Sequence, residues 1–236
     1  MQISIQHDLH KLTKHLHALQ YKQIPYATQI AINNTAVLAK DAEQREINQV
    51  FDRPTPYTKN ALWIKWARKT NLEAIVKIKD ESYKGTSAAK YLQAQIKGGR
   101  RSHKGFEKLL ISKGAMPSDM YAIPSRTLTL DSYGNASRGL IQRVLSGLGA
   151  QRDIYQRSRK GTVNAARYFA GIIGNVHGIW DTKALHHGGP ALMFIFVRAP
   201  NYTKRYDFIA VAQRIIATQF PREFSRALAH AIATAR

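Results

Sequence analysis

Lys97-Gly98-Gly99-Arg100-Arg101-Ser102-His103-Lys104 is the segment whose residue types and spacing point most directly to chemistry. Glycine lets a backbone approach a ligand closely, and Lys and Arg supply charge that suits phosphate oxygens. Lys108 extends the segment. Gln151-Arg152 through Arg157-Ser158-Arg159-Lys160 is a second patch of the same kind. Tyr91 and Phe106 flank the first patch and could stack on bases, although core packing suits both better. Neither patch carries a helix-turn-helix, zinc-finger or single-strand signature. The expected chemistry is contact with nucleic-acid phosphates, without sequence preference, by Lys97, Arg100, Arg101, Lys104, Lys108, Arg152, Arg157, Arg159 and Lys160.

The other reactive residue types form no comparable pattern. His7, His10, His15 and His17 suit a solvated helix face. His177, Asp181, His186 and His187 are the best ligand-like group, but they lack H-E-x-x-H or similar spacing. A nuclease holding Mg²⁺ needs clustered carboxylates, and the 15 acidic residues are scattered. Asp80-Glu81 suits a solvated strand end. The glycine pairs 98–99 and 188–189 match neither nucleotide-binding pattern, and no serine sits in G-x-S-x-G. We therefore expect no enzymatic activity, no metal and no cofactor. A metal-dependent nuclease using His177, Asp181 and His186 stands as the catalytic alternative.

Charge supports the phosphate reading. The 236 residues hold 36 Lys and Arg against 15 Asp and Glu, a formal charge of +21. Residues 84–113 carry eight basic residues against Glu107, and residues 138–167 carry seven against Asp153. Such clustering repels itself, and a polyanion relieves the repulsion while releasing counterions. A solvated basic face or an acidic protein partner would also accommodate it. Apolar residues make up 44%, enough for a folded core. The absence of cysteine excludes disulfides, thiolate zinc sites and a cysteine nucleophile. No stretch approaches the roughly 18 apolar residues of a membrane helix, and the first residues lack a secretory pattern. The expectation is a soluble basic protein made in a cytoplasm, with no membrane partner.

Periodicity outlines the elements that must position these residues. Leu9, Leu12, Leu16 and Leu19 predict an amphipathic helix over 7–20, with Asp8 as N-cap. A longer helix is predicted over about 26–50, with Ala27, Ile30, Ala31 and Leu38 on one face. Pro54 and Pro56 end it. Period-two alternation over Leu62–Ala67 and Leu72–Lys79 predicts a hairpin with its tip at Thr70-Asn71. Short helices are expected over 86–97 and 103–113, extended chain over Met120–Leu130, a turn at Ser132–Asn135 and a helix over 137–147. Residues 149–165 suit an exposed basic loop. Tyr168–Ile173 and Ala191–Val197 suit strands, the second central in its sheet. The stretch between them, with Trp180, Asp181 and His186 to Pro190, suits a loop. Phe208, Val211, Ala212, Ile215 and Ile216 open a terminal helix that Pro221 should kink or break. Terminal helices around strands predict an α+β fold. A mixed or antiparallel sheet would pack with the N-terminal and C-terminal helices, in a single domain spanning 1–236.

Several stretches in order resemble the minor tail protein Z family of tailed bacteriophages and prophages, a tail-completion group. They are Val50-Phe51-Asp52-Arg53-Pro54-Thr55-Pro56-Tyr57-Thr58, then Ala89-Lys90-Tyr91-Leu92 leading to Ile96-Lys97-Gly98-Gly99-Arg100-Arg101. Tyr121-Ala122-Ile123-Pro124, Asp131-Ser132-Tyr133-Gly134-Asn135 and Tyr206-Asp207-Phe208 follow. Together they span most of the chain, with 149–165 the least similar part. The resemblance implies a structural protein of the virion neck, at the head-proximal end of the tail, located in the host cytoplasm during assembly. It implies a homo-oligomeric ring such as a hexamer, with tail terminator and connector or adaptor proteins as neighbours, and basic loops near phage DNA. It hands over no catalytic residues. The alternative from another class is a free nucleic-acid-binding protein without sequence preference.

Overall fold

The computed structural model describes residues 22–82, 85–151, 167–186 and 188–234. The predicted helix over 7–20 lies outside the described residues, as does most of the basic loop 149–165. The fold is α+β, with six helices and antiparallel sheets among the described residues, and the N-terminal and C-terminal helices pack together. Where the sequence suggests one domain, the contacts divide the chain into two compact units. The described residues within Met1–Phe51, Pro56–Lys79 and Tyr206–Arg236 form the first; Asp52–Thr55 and Asp80–Arg205 form the second.

The first unit is built on helix α1 (Ile24–Val50). Pro25 falls in its first turn, where a missing N–H costs nothing. Small residues repeat along one side, and Ala27 and Ala31 are buried against Ala227 and Ala231 of the terminal helix. Side chains this small let two helices approach closely, while Phe220, Phe224 and Leu228 fill the flanks. Asn34 crosses the same seam, donating to Glu223 at 2.9 Å. A short helix α2 (Pro56–Lys59) leads into the hairpin of β1 (Leu62–Lys65) and β2 (Ile75–Ile78). Leu62 and Ile64 are buried, while Trp63 and Lys65 face outward. Asn33 clamps the end of β1 by bonding both backbone groups of Ala67. Paired backbone bonds between Arg68 and Asn71 close the tip, one residue earlier than predicted.

In the second unit, α3 (Ala88–Lys97), β3 (Gly99–Arg100) and α4 (Gly105–Ser112) precede β4 (Met120–Pro124) and α5 (Arg138–Gly147). Then come β5 (Tyr168–Ile173), β6 (Val176–His186), β7 (Gly189–Arg198) and β8 (Asn201–Tyr202). The four-stranded sheet runs β4-β7-β6-β5, all antiparallel, so β7 is internal as its unbroken apolar run predicts. Leu110, Val144, Tyr168, Ile179, Phe194 and Phe196 form the core between α4, α5 and this sheet. The chain closes with α6 (Phe208–Ala233), which belongs to the first unit.

One sequence expectation is corrected and a second is narrowed. The stretch from Val176 to His186 is not a loop but the strand between β5 and β7. Its register shifts at Ile179/Trp180 and between Asp181 and Leu185, which breaks the alternation that reveals a strand. Pro221 does not break α6, which continues to Ala233. An internal proline costs a helix about 3 kcal/mol, and the packing of Phe224, Ala227 and Ala231 on α1 offsets that.

Candidate nucleic-acid interface

The Lys97–Lys104 segment forms the corner where α3 ends. Gly98 and Gly99 have φ of 76° and 87°, the left-handed region that only glycine enters freely. A side chain at Gly98 would also come within 3.2 Å of the Tyr202 carbonyl oxygen. The turn lets Gly99-Arg100 pair antiparallel with Asn201-Tyr202. A bond from Arg205 N–H to the Gln95 carbonyl, 2.9 Å long, secures the same corner.

The result is an open cleft of about 420 Å³, whose cations are Lys90, Lys97, Arg100 and Arg101 and whose polar neighbours are Gln93 and Ser102. Among the described residues, no carboxylate lines it. Lys97 and Arg100 are exposed, as are Lys104 and Lys108 further along. Lys97 also offsets the partial negative charge at the end of α3, which would otherwise oppose an anion.

Arg101 differs from its neighbours. Its guanidinium donates to both oxygens of Glu107, which has no exposed surface. Glu107 is the third residue of α4 and also accepts from the Lys104 amide and, at 3.0 Å, from the Ala122 amide. It thus ties the α4 N-terminus to edge strand β4. Burial raises the Glu107 pKa, but Arg101 and these amides outweigh it and hold the group below the usual carboxylate range. The Arg101 pKa rises in turn, with Glu107 overcoming the cost of burial. The guanidinium also lies 4.6 Å over the Tyr121 ring, on which His103 stacks at 4.3 Å. Tyr121 is buried, and Phe106 packs on Phe194 in the core. Tyr121 and Phe106 are thus engaged inside the fold, while Tyr91 is half-buried on α3; the exposed groups of the corner are its cations, whose chemistry is phosphate contact.

Among the predicted site residues, the structure brings Lys97, Arg100 and Arg101 into one cleft, with Lys104 and Lys108 continuing onto α4. Arg152, Arg157, Arg159 and Lys160 lie outside the described residues. Lys90 was not among the predicted contacts, yet it lines the cleft. Its signal was present: it precedes Lys97 by seven residues, two turns along one helix face.

Burial sharpens the charge imbalance. Glu43, Glu107, Asp181 and Glu223 are all buried, and the last three are paired with Arg101, Arg167 and Arg226, so these acids do not offset the exposed cations of the cleft. Asp181, the centre of the ligand-like group, accepts three hydrogen bonds from the Arg167 guanidinium at 2.7 to 3.0 Å. It accepts two more from the Lys183 and Ala184 amides at the strand irregularity. Burial pushes its pKa up, but Arg167 and the amides prevail and lower it. His177 packs edge-on against Phe196, 4.9 Å between ring centres. Among the described residues, no three His, Asp or Glu side chains gather as metal ligands. No described helix is long and apolar enough to cross a membrane.

Comparison with known proteins returns no match: no family model fits the chain, and no curated protein or solved structure matches it significantly.

Proposed function

We propose that this chain is a structural, non-enzymatic protein of a bacteriophage neck or tail. In this reading it completes the head-proximal end of the tail as a homo-oligomeric ring, with the α3–β3 corner turned towards DNA. The observation that carries it is the cleft lined by Lys90, Lys97 and Arg100, with no carboxylate among its described lining residues, beside a buried Glu107 already satisfied by Arg101. Exposed cations in a concave site without countercharge suit a polyanion held by its phosphates. The ordered sequence resemblance to tail-completion proteins supplies the assembly context, with tail terminator and connector or adaptor proteins as neighbours.

Two measurements test the reading. Electron microscopy of the parent particle should find the chain at the head–tail junction, and its absence there ends the virion role. Binding to duplex DNA should weaken steeply with salt. Salt-dependent binding by a monomer that never assembles would favour the free nucleic-acid-binding alternative.

A further inference from the structure

The β1–β2 hairpin carries an apolar surface that the phosphate cleft does not explain. Trp63 and Trp66 are 44% and 53% exposed, and Leu72 and Ile75 of the same hairpin are exposed as well. The opposite face is already used, with Leu62, Ile64 and Ala67 buried. Trp63 pairs across the ladder with Lys77, and Lys65 pairs with Ile75, so aromatic, aliphatic and cationic side chains alternate on one outward face. Lys65 and Arg68 are exposed at its edge. Between residues 56 and 79 there are six basic residues and one acid, Glu73. Exposed apolar clusters with a polar rim mark interaction sites, and tryptophan with cations is the composition of binding hot spots.

We infer that this hairpin face is a docking surface for an acidic protein partner, one presenting carboxylates around an apolar centre. Charge complementarity selects that occupant. A second copy would bring an equally basic surface, six basic residues against Glu73, so like charges would face one another. Single-stranded nucleic acid needs successive free aromatic faces, but the Lys77 ammonium already lies 5.4 Å over the Trp63 ring, which leaves Trp66 as the patch's one open indole. Leu72 and Ile75 offer no π-face to a base, yet they suit aliphatic or aromatic side chains of a protein. The inference does not rest on the phosphate cleft, because it concerns a different unit and a protein rather than a nucleic acid.

The test selects random-sequence peptides on the full chain, counter-selecting on a Trp63→Ser/Trp66→Ser variant. Enriched peptides should carry Asp or Glu next to Leu or Phe. Their binding should shift tryptophan emission to shorter wavelength, because two of the three tryptophans lie in the patch and Trp180 is only 8% exposed. Lys65→Glu/Arg68→Glu, at exposed positions, should weaken that binding by tenfold or more and keep the native melting transition. Basic or uncharged selected peptides, or no enrichment over the variant, would overturn the inference. So would an emission shift produced by a single-stranded oligonucleotide instead of the peptides, or by protein concentration alone.

Discussion

Arg101 donates to Glu107 at 2.7 and 2.5 Å, and the acceptor is wholly enclosed while the donor's neighbours Lys97 and Arg100 stand in solvent. One short segment therefore mixes a structural cation with ligand-facing ones. Removing one member of a buried pair costs about 3–5 kcal/mol, because the other is left charged without a partner. Arg101→Ala and Glu107→Ala should each lower the unfolding free energy by that amount in a denaturant titration. Lys97→Ala and Arg100→Ala should stay within about 0.5 kcal/mol of the parent. An Arg101→Ala protein as stable as the parent would return Arg101 to the phosphate-contact group.

Lys97 and Arg100 should report in the salt dependence of binding instead. Each lost phosphate contact reduces the slope of log affinity against log salt by about 0.9 for duplex DNA. The Lys97→Ala/Arg100→Ala protein should therefore show a slope shallower by about 2. The loss should be the same for unrelated duplex sequences, since phosphate contacts carry no sequence information. An unchanged slope would show that the duplex lies elsewhere.

The parts of this molecule that were legible in sequence are those where one physical rule acts over many residues. The apolar stripes of α1 and α6 and the continuous run in β7 are of this kind. The strand β6 was hidden because Gly178 and the shifted register around Asp181 interrupt its alternation. The β3–β8 pair is only two residues long, too short for any period. Lys97 and Arg100 were recognisable from charge and glycine spacing, and Lys90 from its helical offset. The Arg101–Glu107 engagement was not, because six residues and a helix start separate the partners and only the folded turn brings them together. The same holds for Asp181, whose partner Arg167 lies on the neighbouring strand's approach.

Glu43 should make the first unit pH-sensitive near neutrality. Its carboxylate has no exposed surface, and Oε2 accepts from the Tyr206 hydroxyl at 2.6 Å. Burial raises its pKa to about 7; Tyr206 opposes the rise, and the negative charge of Glu46 adds to it. The folded state therefore holds this proton more tightly than the unfolded chain does. Its stabilising effect is complete below the unfolded value of 4.5 and fades as pH rises to about 7. The loss across that window is on the order of 3 kcal/mol. Glu43→Gln, which keeps the shape without the charge, should flatten this limb and be more stable than the parent at pH 8. Unchanged pH dependence in the variant would place the sensitivity elsewhere.

Asp181 should produce the opposite limb in the second unit. Its folded pKa is depressed, so its contribution is fully present above the ordinary carboxylate range and is lost as pH falls through the folded value. Trp180, its chain neighbour, is buried and donates to the Gly171 carbonyl, so its emission reports on this strand. With Trp63 and Trp66 replaced by phenylalanine, Trp180 is the only indole left. Acid titration of that protein should show a cooperative change below about pH 4, where free carboxylates begin to protonate. Adding Asp181→Asn should make the limb shallower. It should also lower stability at pH 7 by about 1–3 kcal/mol, because the amide cannot satisfy the Arg167 guanidinium as a carboxylate does. Chelators should leave both measurements unchanged if the Arg167 pair alone holds Asp181. A chelator-induced loss of stability in the parent, absent in Asp181→Asn, would return this carboxylate to metal binding.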